Sequence, residues 1–302
     1  MTIKKTCLTV MPRGLAVLAA AALPVVSQGA AVQVLDQVTN PEGAIHEPLE
    51  VYGALRLSVD YSDADVSADE ADADPLLSDG DLSVSSNTSM IGFRGEVPLD
   101  NRYMFLWQYE QQVDIDDDDP GDVWTTRDSF LGLQSPAGTF LVGQVNTPFK
   151  NMGVQYLGFF NTTNADSHAI LGAAANGSGA RLDLLGANSL NWKIKKGDVS
   201  LALQYAADQQ GSIKSVDDND RASYSGWLRW NPGVLDVNAA FIRYSDFFGT
   251  GELDAYRGSL RYRMGPVTVS GLYEDVSPEN FAPFDREAYG LQLFYTLVPR
   301  WT

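Results

Sequence analysis

Along this chain, segments in which every second residue is large and apolar are joined alternately by very short turns and by long polar stretches. The clearest pair is Ser89 to Gln112. There Ile91 and Phe93 alternate with Gly92, Arg94 and Glu96, and Tyr103, Phe105, Trp107 and Tyr109 alternate with Met104, Leu106, Gln108 and Glu110. In an extended strand neighbouring side chains point to opposite faces, so this hairpin has one greasy side. That side needs either a second sheet or lipid to cover it.

The connections decide between the two. Ser135-Pro136-Ala137, Lys196-Gly197-Asp198, Asn231-Pro232-Gly233 and Gly265-Pro266 turn the chain tightly at one end, whereas stretches such as 62–87, 147–187 and 209–220 sit at the other. A sandwich has loops of mixed length at both ends, while an outer-membrane barrel has short periplasmic turns and long external loops of ten or more residues. About twelve strands are readable between Val51 and Tyr295, each long enough to cross a bilayer at a tilt. The expected fold class is therefore all-β, a transmembrane antiparallel β-barrel over residues 51–302, with Tyr61, Tyr205, Tyr244 and Tyr273 near strand ends as interfacial girdle residues.

The N-terminus fits export. Lys4, Lys5 and Arg13 precede an uncharged apolar run from Leu15 to Val26, and small residues follow, so residues 1–30 read as a signal peptide with cleavage after Gly29 or Ala31. Residues 31–50, with Asn40-Pro41-Glu42-Gly43 and Pro48, read as a periplasmic lead-in without an element of its own. The one cysteine, Cys7, lies in the signal, which leaves the mature chain no disulfide and no thiolate chemistry. The net charge of −18 argues against nucleic acid as a partner.

Much of that acidity is concentrated in loops. Asp114, Asp116 and Asp118 imitate the start of a calcium loop, but Asp119 and Thr125 stand where its glycine and glutamate belong. Loose divalent-cation binding, bridging these loops to lipopolysaccharide phosphates, suits them better. Catalysis has little to work with: the two histidines, His46 and His168, stand outside any recognisable hydrolase motif, and no cofactor signature is present.

Strand parity turns a set of arginines to the inside of the barrel: Arg56 and Arg94 early, and Arg257, Arg261 and Arg263 opposite the greasy row Tyr256, Leu260, Tyr262, Met264. Basic rows facing acids across a water-filled bore order solutes and set ion preference. Arg127 shares the parity of Leu131 and Leu133, which turns it outward; if Phe130 faces lipid instead, Arg127 joins the inside.

Several short words, in order, resemble the general porins of Gram-negative outer membranes, in particular the trimeric group outside the enterobacterial type. They are Tyr52-Gly53, Ile91-Gly92-Phe93-Arg94-Gly95, Trp107-Gln108-Tyr109-Glu110, Arg127 with Phe130-Leu131-Gly132-Leu133, and Gly138-Thr139 through Gly143-Gln144 to Thr147-Pro148, then Arg181 with Asn188-Ser189-Leu190. The resemblance implies a sixteen-stranded barrel, a homotrimer, and a water-filled channel for passive diffusion of small hydrophilic solutes and ions. It also makes 147–187 the loop that narrows the bore, with Asp166 and Asp183 facing the arginine wall, Glu110 nearby and Arg181 on the return. In two places the chain departs from the family: Gly143-Gln144-Val145 lacks the usual arginine, and the ending at Val298-Pro299-Arg300-Trp301-Thr302 implies that closing strands are missing. Alternatives to a general diffusion pore are a substrate-specific channel and a non-conducting structural or adhesive barrel.

Overall fold

A computed structural model describes residues 32–33, 38–39, 45–46, 49–62, 81–86, 89–114, 124–157, 182, 185–207, 221–247, 251–278 and 285–295. The expected signal peptide and most of the acidic stretch after Ser62 lie outside these residues. The strands are β1 (Val32–Gln33), β2 (Val38–Thr39), β3 (Ile45–His46), β4 (Glu50–Ala54), β5 (Leu57–Ser62), β6 (Asp81–Ser86), β7 (Met90–Pro98), β8 (Met104–Val113), β9 (Trp124–Thr126), β10 (Ser129–Ser135) and β11 (Gly138–Asn146). A helix, α1 (Pro148–Leu157), precedes β12 (Leu185–Lys196), β13 (Val199–Ala206), β14 (Ser223–Trp230), β15 (Leu235–Tyr244), β16 (Leu253–Met264), β17 (Val267–Pro278) and β18 (Arg286–Tyr295).

One antiparallel sheet runs in the order β1-β4-β7-β8-β10-β11-β12-β13-β14-β15-β16-β17-β18, with β9 paired to β8. Two short breaks and one wider one divide single strands: β4 from β5 at Leu55-Arg56, β9 from β10 at Arg127-Asp128, and β6 from β7 around Ser89. Joined across these breaks, the strands from β4 onward number twelve. The pair β5–β6 leaves the main sheet and forms a ladder of its own. Ser89, wholly buried, pins that departure: its Oγ accepts from Arg56 N at 3.0 Å and donates to Arg56 O at 3.2 Å, while its carbonyl accepts from Val113 N at 2.7 Å.

Register follows from the turns. Gly265, at φ +58, occupies the first position of a two-residue turn that only glycine enters without strain, and Pro266 fixes the second. Counting back from it pairs Met264 with Val267 and carries the ladder to Leu253 opposite Pro278. The outward face is apolar and exposed: Leu131, Val142, Leu190, Leu228, Leu260 and Leu291 all stand more than half open. In water such a continuous patch is a liability, while against acyl chains it is the required surface.

Three expectations need correction. The lead-in is not featureless, because Val32 pairs with Val51 and β2 pairs with β3; a short apolar–polar alternation suffices to add to a free sheet edge. The connections from Tyr244 to Leu253 and from Pro278 to Arg286 are shorter than the ten residues expected of external loops. Tyr244 is no girdle residue: it is fully buried on the inward face, and its hydroxyl donates to Leu182 O at 3.0 Å. Tyr205 and Tyr273 do point outward and pair across strands with Tyr224 and Tyr289.

Candidate functional site

What fills the inward face is α1. Its start is written in two residues: Thr147 caps it, accepting from Lys150 N at Oγ1 (3.1 Å), and Pro148 takes the first helical position, where a missing N–H costs nothing. The next unpaired donor, Phe149 N, reaches the wall itself, bonding Ser225 Oγ at 3.0 Å. Phe149 and Met152 are fully buried against Ala240, Ile242 and Tyr244 of β15, Ala255 of β16, and Leu272 and Val276 of β17. Those wall residues are apolar where neighbouring inward positions such as Asp236, Asn238, Ser259 and Ser270 are polar, because here the covering is protein and not water.

A buried ionic cluster holds the helix in place. Arg257 donates through Nε to Glu274 Oε2 at 2.7 Å and also through Nη2 to the same oxygen. It bonds the Phe149 carbonyl through Nη1 at 2.9 Å and lies 4.0 Å over the Phe149 ring. Glu274 takes a further bond from Arg286 Nη2 at its other oxygen. Arg257 and Glu274 have no exposed side-chain surface, so the pair exists only because each neutralises the other and the remaining donors are used.

A second cluster lies on the early strands. Glu110 accepts from the Tyr52 hydroxyl at 2.7 Å and from Arg127 Nε at 2.7 Å, and Arg127 Nη1 reaches Gln112 at 3.3 Å. Strand parity misplaces Arg127. Leu131 and Leu133 face outward and Phe130 inward, yet Arg127 also turns in, because the strand is interrupted at Arg127-Asp128 and the alternation restarts. Asp128 fills that interruption, accepting from the backbone and side chain of Asn146.

The remaining candidates are scattered along the wall. Arg94 forms a two-pronged pair with Glu50 (2.6 and 2.9 Å) and lies 4.8 Å over the Tyr52 ring. Arg56 sits in the break between β4 and β5, with its side chain exposed. Arg261 Nε bonds Ser270 Oγ at 3.2 Å, and Arg263 Nη1 bonds Gly233 O at 2.8 Å, both toward the short-turn end. Asp114 accepts from Gln112 Nε2 at 2.9 Å. Asp116, Asp118, Asp166, Arg181 and Asp183 lie outside the described residues.

The inward face also carries charges that sequence reasoning passed over: Lys193, Lys195, Arg229, Asp236, Glu274 and Arg286. Asp236, fully buried, takes a two-pronged bond from Arg229 (2.9 and 2.7 Å) and stands opposite Arg261 in register. Counting outward from the turns was the available signal, since it sets Arg257 against Glu274 and brings Asp236 beside Arg229 and Arg261. On the inward face, the described strands β12 to β18 carry Lys193, Lys195, Arg229, Arg257, Arg261, Arg263 and Arg286 against Asp236 and Glu274, seven basic groups to two acidic. Among the described residues on the earlier side, Arg94 and Arg127 stand with Glu50, Glu96, Glu110 and Asp128, with Asp114 bonded to Gln112 at the strand end. Among the described residues, then, the wall of β12 to β18 is basic and that of the earlier strands is not.

Comparison with known proteins agrees with this architecture. A major outer membrane protein P.IB of Neisseria gonorrhoeae is 31% identical over 109 residues, 34% of this chain; the match spans 28% of that relative's length. The anion-selective porin from Comamonas acidovorans superposes with a TM-score of 0.65 at 18% identity, covering 81% of this chain and 72% of that one. The trimer form of in-vitro folded OmpT from Vibrio cholerae gives 0.51 at 16% identity, covering 77% and 67%. The sheet is greasy outside and charged inside, and a family model described as Gram-negative porin matches residues 14–302; the chain thus belongs to the Gram-negative porins, β-barrels of the outer membrane.

Proposed function

We propose that this protein is a water-filled channel for passive diffusion of small hydrophilic solutes and ions, assembled as a homotrimer, with a preference for anions. The observation that carries the reading is the division of the sheet into two faces. Exposed leucines, valines and aromatics occupy one, while paired charges and amides occupy the other, an arrangement suited to lipid outside and water inside. Within the bore, α1 and the segment after it act as the constriction, because the helix rests on the inner wall of β14 to β17 and takes up part of the cross-section.

Anion preference rests on the inner-wall count and not on the net charge of −18, much of which sits in loops such as 62–87 and 114–122. Fixed charges act within roughly 8 Å at physiological ionic strength, so an ion in the bore responds to the wall beside it and much less to an external loop. Lys193, Lys195, Arg261 and Arg263, toward the short-turn end, are the groups proposed to set it. The trimer is proposed from family membership.

The test is the reversal potential of the refolded protein in a planar bilayer under a tenfold salt gradient. Steady ohmic steps with an anion-selective potential are expected, moving toward zero when Lys193, Lys195, Arg261 and Arg263 are replaced by glutamine. Inserted protein that passes no current would refute the channel and favour a structural barrel. Conductance that saturates or is blocked by one solute would identify a substrate-specific channel.

A further inference from the structure

Arg286 is anchored by one of its nitrogens only. Nη2 bonds Glu274, while Nε and Nη1 are both buried and have no hydrogen-bond partner. The carboxylate that balances its charge is shared, since Glu274 also takes two bonds from Arg257. Beside it in register the inward surface is apolar: Val276, opposite Arg286, and Ala288, next on its own strand's inward face, are 5% exposed or less. A guanidinium with two unused donors in such surroundings is costly unless a further acceptor reaches it.

We infer that Arg286 binds a small inorganic anion of halide size at the long-loop end of the inner wall, behind α1. Two features favour an anion over water. The donors belong to a permanent cation, and Glu274 divides its single charge between two guanidiniums. Halide size follows from burial, since both donor atoms are closed off from bulk solvent and a larger carboxylate or phosphate would have to displace the apolar neighbours. The bound ion completes the cluster that anchors Phe149, so it stabilises the docked helix. This role does not depend on conduction.

The test is the unfolding temperature of the full refolded chain in sodium chloride against sodium gluconate at equal ionic strength. A chloride-dependent rise that saturates is expected for the wild type and should vanish in Arg286→Met. In Glu274→Gln, which removes the competing carboxylate, half-saturation should fall by about tenfold. The variant lacking Lys193, Lys195, Arg261 and Arg263 should keep the rise, which separates this site from the bore. Equal temperatures in both salts for the wild type, or a chloride effect intact in Arg286→Met, would overturn the inference. So would crystals in sodium bromide without an anomalous peak within hydrogen-bonding distance of Arg286 Nε or Nη1.

Discussion

Replacing Arg257 by methionine removes the group that joins helix to wall while keeping most of its length and apolar volume. Among the described contacts, the pair with Glu274, the bond to the Phe149 carbonyl at 2.9 Å and the cation–ring contact at 4.0 Å disappear. Truncating one partner of a buried ion pair costs about 3–5 kcal/mol, and the low end applies because Glu274 keeps Arg286. The ring contact adds about 1 kcal/mol, giving a total of about 4 kcal/mol. This loss falls on the docking of α1 and not on the sheet, because the β16–β17 ladder is backbone-made and continuous from Leu253↔Pro278 to Met264↔Val267. Spread over an equilibrium between docked and undocked helix, 4 kcal/mol is about three orders of magnitude. Hydrogen exchange read by peptide reports it directly: amides such as Asn151 N, which bonds Thr147 O at 3.0 Å, should exchange about 10²–10³ times faster, with β16 and β17 unchanged. Unaltered exchange in α1, or equal acceleration in the strands, would refute the assignment of Arg257 as the helix anchor.

Two further outcomes test other parts of the architecture. Leu260→Arg places a charge on the outward face near the middle of β16 and should lower stability in lipid vesicles by about 2–4 kcal/mol in denaturant titration, whereas Gln134→Arg, on the inward face, should cost little. Thr147→Ala removes the cap of α1 and should speed helix exchange by about fivefold, corresponding to about 1 kcal/mol, a far smaller effect than that of Arg257→Met.

The sheet was legible because period-two alternation is local. Tyr256 to Met264 states its own two faces, and Gly265-Pro266 states the turn; nothing distant is needed to place either. Arg127 was left open between the two faces and Tyr244 was misplaced, for opposite reasons. At Arg127 the alternation breaks, and the cause, Asp128 bonded to Asn146, lies across the strand pair and leaves no mark on the periodicity. At Tyr244 the alternation holds, but the inward surface there is covered by Phe149 and Leu182, so an aromatic at a strand end serves a core and not an interface. The helix had a signal in Thr147-Pro148, a cap followed by a first-turn proline, which the glycine- and asparagine-rich surroundings masked. Glu274 and Arg286 were invisible as a cluster because three strands must be in register before they meet.

The break at Ser89 makes the first hairpin two objects and not one. Beyond it β5 and β6 form a backbone ladder of their own, separate from the main sheet, so bending them leaves the backbone ladder of β4 and β7 intact. The buried serine works as a pivot, tying the base of the arm to Arg56 and Val113 while the arm's own pairing begins on the far side. An arm of that kind accepts insertions, deletions and changes of charge at its far end as a matter of local fit, and the strands that carry the wall do not register them.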